Sequence, residues 1–132
     1  MSDTDFKAFK GLFIQTARGH LQDIASALRI LHSDPDDQEA VYAAYIGLHS
    51  LKGECFALGY MSTGTLCQTI EKLFQRMRDH TLTLTPLLLT AITFALARLD
   101  ESVASIQTED KELVLSDALM KLEKEMKTKV GG

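Results

Sequence analysis

Proline and cysteine are scarce in this chain, two of each in 132 residues. Each scarcity removes a class of protein. Cys55 and Cys67 fit neither a disulfide-dense secreted scaffold nor a C-x-x-C metal or redox site, so a reduced, cytoplasmic compartment is expected. Low proline with 45% hydrophobic and 7% aromatic residues argues for an ordinary globular chain and against disorder. A basic excess is also missing, and the formal net charge of -4 gives no general reason to bind nucleic acid. Lysines gather only near the end, at Lys121, Lys124, Lys127 and Lys129, where Glu123 and Glu125 interrupt them as on a solvated helix face. The longest nearly apolar run, Pro86 to Leu99, is broken by Thr90, Thr93 and Arg98 and is too short for a membrane span. The opening M-S-D-T-D-F-K lacks the basic-then-apolar order of an export signal. Neither nucleic acid nor a membrane is therefore an expected partner. Gly131-Gly132 reads as a frayed end, a cut domain boundary or a cloning scar.

What is present is helical periodicity. The length suits one domain over residues 1–132, with a core over about 4–127. Helix one is expected over 4–31, with Phe6, Phe9, Phe13, Ala17, Ile24, Leu28 and Leu31 near helical spacing. Helix two is expected over 35–58, with Asp34 as cap, Pro35 in the first turn and a stop near Gly59. Ser62 is a candidate cap for helix three, 63–79, which packs through Leu66, Ile70, Leu73, Phe74 and Met77. Thr85 and Pro86 open a fourth helix to about 106, and Thr108 is a candidate cap for a fifth over 109–127. In helix four, Leu88, Ala91, Ala95, Leu99, Val103 and Ile106 form the main line, widened by Leu87, Ile92 and Leu96. The short run T-L-T-L-T alternates but has no evident strand partner. Short connections between such helices predict an all-α, antiparallel up-down four-helix bundle with an additional C-terminal fifth helix.

The chemistry is concentrated in residues 42–60, Y-A-A-Y-I-G-L-H-S-L-K-G-E-C-F-A-L-G-Y. Ala44, Leu48, Leu51, Cys55 and Leu58 make the apolar stripe. His49, Lys52 and Gly53 lie about half a turn away, with Tyr45 and Phe56 beside them. An exposed imidazole is a competent nucleophile near neutral pH if one ring nitrogen is held in its protonated form by an acceptor. Glu71, at the margin of helix three, can be that acceptor. Lys52 can attract phosphoryl oxygens, and Gly53 leaves clearance for a visiting active site. Tyr45, Ile46 and Phe56 can form an apolar docking rim.

Plainer readings stand beside these. His49 can be an incidental surface histidine, Lys52 a solvated cation and Gly53 a tolerated defect. Glu71 can be a rim carboxylate paired with Lys52, Lys72 or water, and Tyr45 and Phe56 can simply pack on a neighbouring helix. A metal site is weakly supported, because His20, His32, His49 and His80 lack close ligand spacing.

The segment H-S-L-K-G, His49 through Gly53, resembles the signature of histidine-containing phosphotransfer domains. It is closer still to the amino-terminal phosphotransfer domain of CheA-type chemotaxis histidine kinases. The turn Gly59-Tyr60-Met61-Ser62 and Glu71 on helix three fall in register with that pattern. The resemblance implies a phosphoryl carrier in two-component signalling. His49 would be phosphorylated by a separate histidine kinase catalytic domain and would donate to an aspartate of a response-regulator receiver. Glu71 would hold the unphosphorylated ring nitrogen, and Lys52 would assist reaction or recognition. Two departures alter the site: Glu54 stands where a small residue is usual, adding charge near partners, and Gln68 stands where a second histidine is common, altering the hydrogen-bond network. No G-x-x-x-x-G-K-[ST] loop is present, so the domain is expected to bind no cofactor itself. ATP and Mg2+ would arrive with the kinase and Mg2+ with the receiver. The isolated domain is expected to be monomeric. The competing class is a helical interaction module that binds a receiver or kinase without phosphotransfer.

Overall fold

The computed structural model describes residues 2–130, with side chains as far as Met126. Gly131-Gly132 and the side chains of Lys127 and Lys129 lie outside the described residues. Among the described residues five helices follow in order: α1 (Asp3–Ser33), α2 (Gln38–Ala57), α3 (Met61–Arg78), α4 (Pro86–Glu109) and α5 (Ser116–Val130). No strand occurs among the described residues, and T-L-T-L-T lies in the α3–α4 connection and the start of α4's cap. Contacts run α1 to α2, α2 to α3, α3 to α4 and α4 back to α1, and among the described residues the backbones of the diagonal pairs stay apart. That closed ring is an antiparallel four-helix bundle. The fifth helix packs on α4 and reaches α3, covering their seam.

The core follows the expected stripes, with exceptions at the ends. Ala44, Leu48, Leu51 and Cys55 on α2 face Leu66, Ile70, Leu73, Phe74 and Met77 on α3, all buried. Leu58, assigned to the stripe by spacing, is 41% exposed because α2 has ended before it. Phe6 and Phe9 are also exposed, and so is Leu87. Phe9 lines a shallow surface pocket with Leu12, Ala57 and Leu58, so apolar periodicity continues at this end of α1 without full burial. Ala118 and Leu122 bury the inner face of α5, joined by Leu115 just before its first turn, with Leu119 and Met126 packed against the core.

Helix ends are where the sequence reading is corrected. Asp34 does not cap α2. It ends α1, its N–H bonding Ile30 O at 2.8 Å, and its carboxylate accepts from Asp36 N in a local turn. Asp37 is the cap of α2, accepting from Ala40 N at 2.9 Å. Pro35 lies in the turn instead of the first helical position. The far end of α2 closes on Gly59, whose φ of +83° is the left-handed region. Tyr60 N bonds Cys55 O at 2.8 Å and Gly59 N bonds Phe56 O at 3.1 Å, the paired bonds of a Schellman motif. Thr85 and Pro86 do open α4, the threonine oxygen accepting from Leu88 N.

Ser62 does not cap α3 and Thr108 does not cap α5. Thr108 lies inside α4, its hydroxyl donating to Ala104 O. The N-terminus of α3 is capped from the α4–α5 connection, about fifty residues away in sequence: Glu112 accepts from Ser62 N at 3.2 Å and from Thr63 N at 2.7 Å. The Thr63 hydroxyl donates to the same carboxylate at 2.6 Å and lies 2.9 Å from the Ser102 hydroxyl. Leu113 N then donates to Ser102 at 3.0 Å. A carboxylate at the positive end of a helix, with three hydrogen bonds of which two are short, ties the α4–α5 connection to the base of α3. Glu112→Ala is expected to destabilise the fold by about 2 kcal/mol, since the backbone N–H of buried Thr63 loses its acceptor and the helix loses its cap. Denaturant unfolding measures this; a loss no larger than that of a solvent-exposed glutamate would refute the cap.

Candidate functional site

The imidazole of His49 is carried on the outward side of α2, opposite the buried Leu48–Leu51–Cys55 line, and its side chain is 59% exposed. Glu71 enters from α3 on the turn after Gln68, and its side chain is only 7% exposed. Glu71 Oε2 lies 2.6 Å from His49 Nδ1, and Glu71 Oε1 lies 2.6 Å from Lys52 Nζ. Each carboxylate oxygen therefore holds one neighbour from successive turns of α2. A carboxylate only accepts, so the contact puts the proton on Nδ1 and leaves the Nε2 lone pair directed away from it.

Burial alone would push the Glu71 carboxyl pKa up. Hydrogen bonds from Lys52 and His49, with the lysine charge, outweigh that and hold it below the ordinary value. Glu71 is thus ionised at neutral pH, as an orienting acceptor must be. The two cysteines do not compete as nucleophiles, since Cys55 and Cys67 are both fully buried. A hydrogen bond with Cys55, reinforced by burial, raises the Cys67 thiol well above its usual range.

The other residues singled out by sequence divide. Gly53 is exposed, and a Cβ built there meets nothing within 4 Å. The bundle does not need a glycine at this position. Gly53→Ala is expected to raise stability by about 0.5–1 kcal/mol and to lower phosphoryl transfer if a visiting active site closes over this turn. Thermal unfolding and a transfer assay on the same protein decide it; higher stability with unchanged transfer would refute the clearance role. Ile46 is 42% exposed and Tyr45 half-buried. Ile46 also lines a groove of about 930 Å³ between α1 and α2, with Ile30, Tyr42 and Ala43, rimmed by Asp23, Asp37 and Glu39. Lys52 remains on the His49 face, with its ammonium engaged by Glu71.

Three placements differ from the sequence reading. Glu54 does not face the imidazole. Five residues beyond His49 it has turned toward α1, where Oε1 meets His20 Nε2 at 3.2 Å and Oε2 has no hydrogen-bond partner. Phe56 is half-buried and fills the space that Gly64 leaves open: a Cβ on Gly64 would lie 2.5 Å from the ring. Its main contact is thus packing between α2 and α3, the plainer of the two readings for Phe56, which departs only from the docking rim. Gln68 is half-buried, one turn before Glu71, and bonds neither Glu71 nor His49.

Two residues were missed. Arg78 sets its guanidinium 4.7 Å from the Tyr42 ring centroid and 4.8 Å from that of Tyr45. Tyr45 in turn stacks with His49, centroids 6.1 Å apart. The available signal was spacing, since Arg78 is seven residues after Glu71 and Tyr42 seven before His49, each on the same helix face. Among the described residues no group of three or more His, Cys, Asp or Glu is placed to hold a metal ion. No helix among them is long and apolar enough to cross a membrane.

The site is thus a solvent-facing imidazole held by a buried carboxylate on the next helix of an up-down bundle. The family model for the Hpt domain matches residues 8–109, and the chain belongs to that family. Within it the similarity is to CheA. The chain is 28% identical over 102 residues to the chemotaxis protein CheA of Bacillus subtilis, covering 77% of this chain and 15% of that protein. It is 32% identical over 73 residues to CheA of Halobacterium salinarum, covering 55% of this chain and 11% of that one. The chain therefore spans only a small part of the curated relatives it matches. The CheA phosphotransferase domain from Thermotoga maritima superposes with a TM-score of 0.74 at 27% identity, covering 82% of this chain and all of that one, 100%. The phosphorylated P1 domain of CheA3, solved in complex with CheY6 from R. sphaeroides, shares the fold: TM-score 0.82, 18% identity, 92% of this chain and 97% of that one.

Proposed function

We propose that this domain is a phosphoryl carrier of chemotaxis-type two-component signalling. His49 Nε2 attacks the γ-phosphorus of ATP held by a histidine kinase catalytic domain, the bond from phosphorus to the β,γ-bridging oxygen breaks, and ADP leaves. The group then passes from Nε2 to an aspartate carboxylate of a response-regulator receiver. One observation carries the reading: an exposed ring nitrogen whose mate is held at 2.6 Å by a buried, ionised glutamate. The Nδ1–Glu71 bond favours the reactive tautomer and offsets the positive charge that develops on the ring during transfer. Lys52 keeps Glu71 ionised and adds positive charge near incoming phosphoryl oxygens.

The domain supplies the acceptor and its orientation. ATP and Mg2+ belong to the kinase, and Mg2+ to the receiver pocket. The exposed Ile46 and the α1–α2 groove beside it give a visiting protein apolar area next to the imidazole. A receiver is the recipient class to test, since the P1 domain of CheA3 has been solved with CheY6.

The test is incubation with a cognate kinase and labelled ATP, followed by chase into a purified receiver. Acid-labile, base-stable label that moves to the receiver is expected. Binding of the receiver with no label under any cognate kinase would instead establish a non-catalytic interaction module.

A further inference from the structure

Glu71 restrains the imidazole at one atom. A single hydrogen bond to Nδ1 leaves the ring free to rock about the bond axis, and the direction of Nε2 rocks with it. A second contact bears on that motion. Tyr45, one turn before His49 on α2, lies nearly parallel to the imidazole, the planes 20° apart with centroids at 6.1 Å. This is an offset stack within the range of favourable ring pairs.

Tyr45 is itself held from the other side. The guanidinium of Arg78, from the last turn of α3, sits 4.8 Å from its centroid and 4.7 Å from Tyr42, whose ring is 6.5 Å from that of Tyr45. Arg78 forms no ion pair among the described residues, so its contacts on this face are with the two rings. Cation–π contact of this kind lets a partly exposed tyrosine keep one orientation. A continuous line of flat groups thus runs from the end of α3 to the imidazole, while Glu71 approaches from the bundle interior.

We propose that Tyr45, clamped by Arg78, is a second positioning residue for His49: it sets the plane of the ring, while Glu71 sets the tautomer. The proposal rests on the phosphoryl-carrier reading and gives Tyr45 a role different from a docking rim. A docking residue changes the concentration at which the kinase is satisfied. A positioning residue changes the rate once the complex has formed.

The experiment is steady-state phosphorylation by the cognate kinase with the domain as varied substrate, alongside NMR relaxation of the His49 ring carbons in the free domain. Tyr45→Ala is expected to lower kcat about tenfold with KM nearly unchanged, and Tyr45→Phe to recover most of that loss, because the stacked face and not the hydroxyl acts. Arg78→Ala, at an exposed position that does not threaten folding, is expected to lower kcat about threefold. Both alanine variants should lower the order parameter of the His49 ring. A raised KM at unchanged kcat would return Tyr45 to the docking rim and overturn the proposal. An unchanged ring order parameter in both variants would also overturn it, whether or not the wild type accepts phosphate. Failure of the wild type to label under any cognate kinase would bear on the carrier reading alone.

Discussion

His49→Gln is expected to reduce phosphoryl labelling to background while the protein stays folded. The position makes this a clean substitution. The side chain is 59% exposed, so no core contact is lost, and a glutamine amide can still donate toward Glu71 Oε2. What it lacks is a ring nitrogen lone pair able to attack phosphorus. Substitute nucleophiles are poorly placed. Cys55 and Cys67 are sealed in the core, and His20 is mostly buried and turned to Glu54. His32 and His80 are exposed but have no orienting carboxylate at hydrogen-bond distance among the described residues. Circular dichroism and thermal unfolding should match the wild type closely. Label that persists in this variant, or that survives acid, would show that another residue is the acceptor.

Glu71→Gln is expected to slow phosphorylation by about 10²-fold without removing it. The nucleophile remains, but the charged acceptor that fixes its tautomer and balances its developing charge is gone. Kinase affinity should change little, because Glu71 is buried behind the imidazole and touches no visitor. A loss confined to KM would contradict the orienting role.

The same residue makes a prediction about pH. The Glu71 carboxyl is held below its ordinary value in the folded protein. Its pairing with Lys52 and His49 therefore contributes stability in full above the unfolded glutamate pKa. That contribution is lost as pH falls through the lower folded value. The stability difference between wild type and Glu71→Gln should be constant near neutrality and close below about pH 4. A difference that persisted unchanged in acid would mean the glutamate contributes through packing and not through charge.

The site was legible from sequence because its parts are close along the chain or carried at helical spacing. His49, Lys52 and Gly53 share one face of one helix, and once α2 and α3 are antiparallel neighbours, Glu71 can reach across. Glu54 and Phe56 were harder. A helical wheel shows angular position but does not show which neighbour a side chain meets. Only the packing reveals that Glu54 faces His20 on α1 and that Phe56 fills the gap left by Gly64. Gln68 illustrates the same limit: one turn before Glu71, it makes no bond to the pair.

The helices, their order and the buried stripes on α2 and α3 were determined by the chain itself, because periodic apolar spacing and local turn chemistry are short-range properties. Tertiary structure alone decided the cap of α3 by Glu112, the His20–Glu54 pair and the Arg78–Tyr45–His49 line. Each joins groups from different helices. Which of the many possible partners a side chain meets depends on how whole helices pack, and no local pattern in the sequence records that.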